Sequence, residues 1–122
     1  MARIRSVKPD FFKHAVLSKM SPLHRLMFEG LWCQADREGR LKDRPDDLKR
    51  EILPHDHCDA NRLLENLSTT TDPYDDKPFI VRYEAHGCRY IQITNFLKHQ
   101  YPHIKEPDST IPAPDKHHAS TR

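Results

Sequence analysis

An α+β fold, three helices closed by a β-hairpin, is predicted for this chain by three observations. Apolar residues recur at helical spacing in three segments between residues 22 and 68. The period then switches to strict alternation between residues 79 and 93. Each helical segment also carries its own boundary residues: a capping side chain, a first-turn proline or a terminating glycine or proline.

The size and composition suit one small domain. The chain has 122 residues and a mass of 14.4 kDa. Hydrophobic residues make up 36%, charged residues 31%, and the mean hydropathy is −0.85, so part of the chain is expected outside the core. No apolar run approaches the roughly 20 residues of a spanning helix, which excludes a membrane role. Ten prolines against three glycines argue against a barrel or sandwich. Cysteines 33, 58 and 88 are odd in number, which fits a reduced interior rather than a disulfide framework. No apolar stretch follows the basic N-terminus, so no signal peptide is expected, and the expected setting is a bacterial or host cytoplasm.

Taken in order, residues 1–20 read as a basic arm with a short helix containing Phe11, Phe12, Val16 and Leu17. Ser21 as N-cap and Pro22 at the first helical position start the first long helix. Leu23, Leu26, Met27, Leu31 and Ala35 form its stripe, Phe28 and Trp32 widen it, and Gly39 supplies the stop, giving a helix over 22–36. A second helix fits Pro45 to Leu53, closed by Pro54, and a third fits Ala60 to Ser68 behind Asp59 as cap. Ser68 to Pro78 reads as an exposed loop. Two strands follow around a His86-Gly87 turn, a register that pairs Tyr83 with Tyr90 and Glu84 with Arg89. Asn95 to Gln100 fits a helical turn. Beyond it Pro102, Pro107, Pro112 and Pro114 impose an extended path, and the last dozen residues are expected to be disordered. The organisation is thus an arm (1–20), a domain (21–100) and an extended or disordered Pro-rich tail (101–122).

Three helices and then a hairpin is the element order of a winged helix-turn-helix, with the third helix as recognition helix and the hairpin as wing. A small α+β domain with a purely structural hairpin has the same order, and order alone leaves both open.

The residues themselves add a resemblance. Met-Ala-Arg-Ile-Arg-Ser-Val-Lys-Pro-Asp-Phe-Phe opens the chain, and Gly30-Leu31-Trp32 and Ala35-Asp36-Arg37-Glu38-Gly39-Arg40-Leu41 follow the first apolar stripe. Phe79-Ile80-Val81-Arg82-Tyr83, Tyr90-Ile91-Gln92-Ile93 and Lys98-His99-Gln100 complete the set. Over about residues 1–112 these segments resemble the N-terminal winged-helix module of phage and prophage replication proteins, the replisome-organiser and DnaD-like initiators. The resemblance implies a phage-encoded protein acting around DNA replication, binding DNA or a host replication component. Such initiators continue into a second domain that engages single-stranded DNA or the helicase. The 122 residues hold the binding module, so binding without bridging is expected. The 68–78 loop is longer than the link expected between a third helix and a wing.

Charge is laid out in blocks beneath a formal net of +2. Residues 1–20 carry +4, residues 21–78 carry −4, and residues 79–105 carry +3. The candidate nucleic-acid contacts are accordingly Arg3, Arg5 and Lys8 on the arm, Asn61, Arg62 and Asn66 on the third helix, Arg82 and Arg89 on the hairpin, and Lys98 beyond it. Arginine and asparagine suit guanine and adenine edges, but Glu65 on the same helix would face phosphates. Arg3 and Arg5 suit a minor groove, although a solvated terminus fits them equally well. Arg37, Arg40, Lys42 and Arg44 interleave with acids and read as a salt-bridged loop. Tyr83 and Tyr90 are expected to pack on the helices.

No catalysis, cofactor or metal is expected. Glycine-rich phosphate loops and nucleophile or zinc-protease motifs are absent from the sequence. His55, His57 and Cys58 cluster, but Cys33, His86, Cys88, His99 and His103 are scattered and lack paired ligand spacing. The expected partner is duplex DNA. The alternative is a phage adaptor or inhibitor that grips a host replication, transcription or CRISPR effector complex, that is, a replication or defence protein, through protein contacts. A homodimer stays open.

Overall fold

A computed structural model describes residues 2–114. Four α-helices and a small antiparallel sheet form an α+β domain. None of its helices is long and apolar enough to cross a membrane.

Helix α1 spans Pro22–Gln34, and its start is as expected: the Ser21 hydroxyl accepts the His24 N–H at 3.3 Å. It ends two residues earlier than the apolar stripe suggests. Asp36 is the cause, because its carboxylate accepts the Glu38 and Arg40 N–H groups and folds the chain into a turn. Gly39, at φ +81, serves that turn rather than a helix stop.

The turn delivers strand β1, Arg40–Lys42, a stretch expected to be loop. Three residues are too few to show alternation, so only their pairing identifies them as a strand. Helix α2 follows at Pro45–Ile52, with Asp46 and Asp47 in its first turn where the helix dipole favours acids. Helix α3 spans Ala60–Thr69, capped by Asp59, and buries Leu63, Leu64 and Leu67. The three helices contact one another pairwise, with Met27, Leu31, Leu64 and Leu67 fully buried.

Gly30 is where α1 approaches α2. A Cβ added there would collide with Ile52 Cγ2 and lie 2.7 Å from Cγ1. Alanine gains about 1 kcal/mol of helix propensity over glycine, while overpacking costs about 1–3 kcal/mol. Gly30→Ala is therefore expected to destabilise by about 1 kcal/mol in chemical denaturation. In an Ile52→Ala background the same substitution should become stabilising; destabilisation in both backgrounds would contradict the packing account.

The segment expected as an exposed loop contains a second, two-stranded sheet: β2, Thr71–Asp72, and β3, Lys77–Pro78. The main hairpin is β4, Ile80–Ala85, and β5, Cys88–Ile93, in the expected register, with Tyr83 opposite Tyr90 and Glu84 opposite Arg89. His86 and Gly87 both take positive φ, as the tight turn requires. Strand β1 adds to the far side of β5, placing Leu41 opposite Ile91 and giving the order β1-β5-β4.

Register assigns the two faces of this sheet. Leu41, Ile80, Ile91, Ile93 and Arg82 share the face turned to the helices. Tyr83 and Tyr90 lie on the other face, contrary to expectation. The tail covers that face: Tyr83 donates its hydroxyl to Pro112 O at 2.7 Å, and Arg40 donates to Ile111 O at 3.1 Å. Burial beneath the tail pushes the Tyr83 phenol up to about 12.

The arm from residue 2 and the tail as far as residue 114 pack into the domain. The arm forms short 3-10 turns at Pro9–Lys13 and Leu17–Lys19 instead of an α-helix. Helix α4, Phe96–His99, follows the hairpin, and Gln100 beyond it is buried. The Gln100 amide accepts the Ser6 N–H at 2.9 Å and donates to Ser6 O at 2.8 Å, substituting for a strand partner. The tail is extended as far as residue 114. The expected disorder beyond that point lies outside the described residues.

Candidate nucleic-acid interface

The nine candidate contact residues separate into three groups rather than one surface. The first surrounds Glu106. Arg5, with 4% of its side chain exposed, makes paired hydrogen bonds to that carboxylate at 2.8 and 3.0 Å. It also donates to Trp32 O and Ala35 O at 3.1 Å each, at the end of α1, and its guanidinium lies 5.2 Å from the Phe96 ring centroid. Arg3 adds an ion pair to the same carboxylate at 3.2 Å. Hydrogen bonds from Arg5 hold the Glu106 carboxyl below its ordinary range. Arg5 therefore leaves the set of groove-reading residues: it fastens the arm to the tail.

The second group surrounds Asp43, a buried carboxylate between β1 and α2. Arg82, only 2% exposed, binds it through both Nε and Nη2, at 2.7 and 2.9 Å. The same guanidinium reaches α3, donating to the Asn61 side-chain oxygen at 2.8 Å and to Glu65 at 3.3 Å. Burial would favour the neutral guanidine, but the Asp43 carboxylate outweighs it and raises the Arg82 pKa. Arg82 is thus a correction to the sequence reading as well, since it cannot reach a phosphate without unfolding the sheet–helix junction. Its partner Asn61 has its side-chain oxygen occupied. Asn66 is also engaged, with its amide nitrogen 2.8 Å from His24 Nε2 on α1. Burial depresses the His24 pKa, which favours the neutral ring that this contact requires.

Two cations of this region remain on the surface. Arg62 is exposed on α3, three residues past the Asp59 cap that accepts its backbone N–H. Arg89 is exposed on β5 near the hairpin turn, with its guanidinium 3.9 Å from Asp43. The third group, Lys8 and Lys98, lies elsewhere: Lys8 Nζ donates to Lys98 O at 3.2 Å, and both line a cleft of about 660 Å³ between the arm, the small sheet and α4.

Sequence reasoning missed that cleft. Its aromatic components include Phe11 on the arm and Phe28 and Trp32, one helical turn apart on α1. Only the folding of the arm across α1 turns them into a wall, and no local periodicity encodes that. Among the described residues, no three His, Cys, Asp or Glu side chains converge on a metal-sized site.

Comparison with protein-family models, with curated proteins and with solved structures finds no match for this chain.

Proposed function

We propose that this chain is a winged-helix module that binds duplex DNA in the setting of DNA replication or its control. One observation carries the reading: α1-β1-α2-α3 is followed, after the small β2–β3 sheet, by the hairpin β4-β5, with β1 paired to β5. A winged helix has a three-strand sheet in that order beside three helices, so the order supports this reading, in which α3 would enter a groove and the hairpin would meet the flanking backbone. The replication setting rests on the resemblance of the sequence segments, and a phage origin rests on it too.

The contact set in this reading is small, with Arg62 on α3 and Arg89 on the hairpin as its cations. Two phosphate neutralisations give a shallow salt response, with log K falling against log salt at a slope of about −2. Fluorescence anisotropy on a labelled duplex across a salt series tests this. The double variant Arg62→Ala/Arg89→Ala is expected to lose most of the low-salt affinity, and the salt slope should flatten toward zero. Absence of binding at low salt, or binding that this variant leaves unchanged, would remove the proposal.

A specific observation favours a second reading, a phage adaptor on a host replication, transcription or defence complex. Asn61, Glu65 and Asn66, three of the polar side chains of α3, are already engaged by Arg82 and His24. A partner retained after nuclease treatment in affinity capture supports this reading over the first.

A further inference from the structure

We propose that the outer face of the β1-β5-β4 sheet is a docking site for an extended, proline-rich segment of a partner protein, which the chain's own tail occupies until it is displaced. The inference does not rest on DNA binding, since it uses neither α3 nor the hairpin turn.

Strand alternation places Arg40, Val81, Tyr83, Tyr90 and Gln92 on this face. The Tyr83 and Tyr90 rings lie 5.8 Å apart, and Tyr83 is fully buried although it points away from the helices. Aromatic rings flanked by hydrogen-bond donors are the chemistry that recognises a polyproline II segment. The rings meet the pyrrolidines, and the donors meet carbonyls that such a segment leaves without internal partners.

The tail shows what fits there. Residues 107–114, Pro-Asp-Ser-Thr-Ile-Pro-Ala-Pro, hold three prolines and neither helix nor strand. The chain bends at Ile111, where the Ser109 hydroxyl accepts the Ile111 N–H at 3.2 Å. From that point Ile111, Pro112 and Pro114 are half-buried while Ala113 is exposed. A helix of three residues per turn, resting two of its three edges on a surface, gives this pattern. Arg40 donates to Ile111 O at 3.1 Å and Tyr83 to Pro112 O at 2.7 Å. Every peptide carries carbonyls, so selection falls on backbone shape, which the x-Pro-x-Pro unit presets.

The tail is held by side chains. Among the described residues, no main-chain hydrogen bond joins 107–114 to the sheet, and the Ser109 hydroxyl adds one contact to the Asp36 carboxylate. Upstream, Arg5 clamps Glu106 and Arg37 donates to His103 O at 2.9 Å. Lifting residues 107–114 therefore leaves the arm–tail junction in place. Tethering gives the tail an effective concentration on the order of millimolar, a threshold that a competing segment must exceed.

The test uses the full chain and a fluorescein-labelled copy of the tail segment, Pro-Asp-Ser-Thr-Ile-Pro-Ala-Pro, read by anisotropy and amide chemical shifts. The parent is expected to bind it weakly. Pro112→Gly/Pro114→Gly, which loosens the tethered competitor, should bind it about tenfold or more tighter, with shift changes at residues 40–42, 81–83 and 90–92. Adding Tyr83→Phe to that variant should weaken binding about fivefold, the contribution of one hydrogen bond. A peptide with glycine at its last two prolines should bind about tenfold more weakly, and Arg62→Ala/Arg89→Ala should change nothing. If the glycine variant folds poorly, the parent decides: millimolar unlabelled peptide should move its Ser109, Thr110, Ile111 and Ala113 amides toward free-peptide positions. The proposal is overturned if the glycine variant folds and binds no tighter, if Tyr83→Phe or the glycine peptide makes no difference, or if the parent's tail amides stay in place. It is equally overturned if the shifts map elsewhere, if a single-stranded oligonucleotide takes the face in preference, or if two copies fill it by exchanging tails.

Discussion

Replacing Arg82 with methionine is expected to cost about 3–5 kcal/mol of folding stability, the largest single effect in the molecule. The reason is the partner left behind. Asp43 has a fully buried side chain, and Arg82 supplies both of its short hydrogen bonds. Removing the guanidinium leaves a carboxylate that must either stay charged without compensation or take up a proton. Arg89 is no substitute, at 3.9 Å and half exposed. The same substitution frees Asn61 and Glu65 on α3, so the sheet–helix junction loosens along with the pair. Urea denaturation measures the loss directly. The double variant Asp43→Leu/Arg82→Met should be markedly more stable than Arg82→Met alone, because an apolar pair carries no orphaned charge. Equal instability of the two would show that packing, not the charge, is what matters. A practical consequence concerns DNA binding: a binding defect at Arg82 reports unfolding, whereas one at Arg62 or Arg89 reports the interface.

Arg82 also shows why much of the fold was legible in the sequence while much of the candidate site was not. Helix starts are local events. Ser21, Pro22 and Asp59 act within one turn of themselves, and the His86-Gly87 turn fixes the hairpin register without help from the rest of the chain. Elements that exist through distant pairing were opaque. Strand β1 becomes a strand because Leu41 meets Ile91, fifty residues away in sequence. A basic residue likewise carries the same letter whether it faces solvent or a buried acid. Arg5 and Arg82 read as phosphate contacts because their partners, Glu106 and Asp43, are 101 and 39 residues distant. The sign of a charge block is thus a poor guide to its availability. In this chain the +4 of the first twenty residues contributes to closing the fold as well as to the surface.

The second large effect is expected at Arg5. Arg5→Ala should destabilise the domain by about 2–4 kcal/mol, somewhat less than the change at Arg82 because Arg3 still contacts Glu106. Two carbonyls at the end of α1, those of Trp32 and Ala35, lose their donor at the same time, and the cation leaves the Phe96 ring. Hydrogen exchange should accelerate at both chain ends together, over residues 2–8 and 103–112, since one carboxylate joins them. The acid response follows from the same contact. Its hydrogen bonds from Arg5 hold the folded pKa of Glu106 below the ordinary glutamate value, so the folded state binds this proton less readily than the unfolded one. Its contribution is fully present above the unfolded value and is lost as pH falls through the folded one. Urea midpoints measured from about pH 7 down to about pH 3 should therefore drop more steeply in the parent than in Glu106→Gln, which starts lower and lacks this titration. Parallel curves for the two proteins would mean that the Arg5–Glu106 pair holds the ends in place without contributing to acid stability.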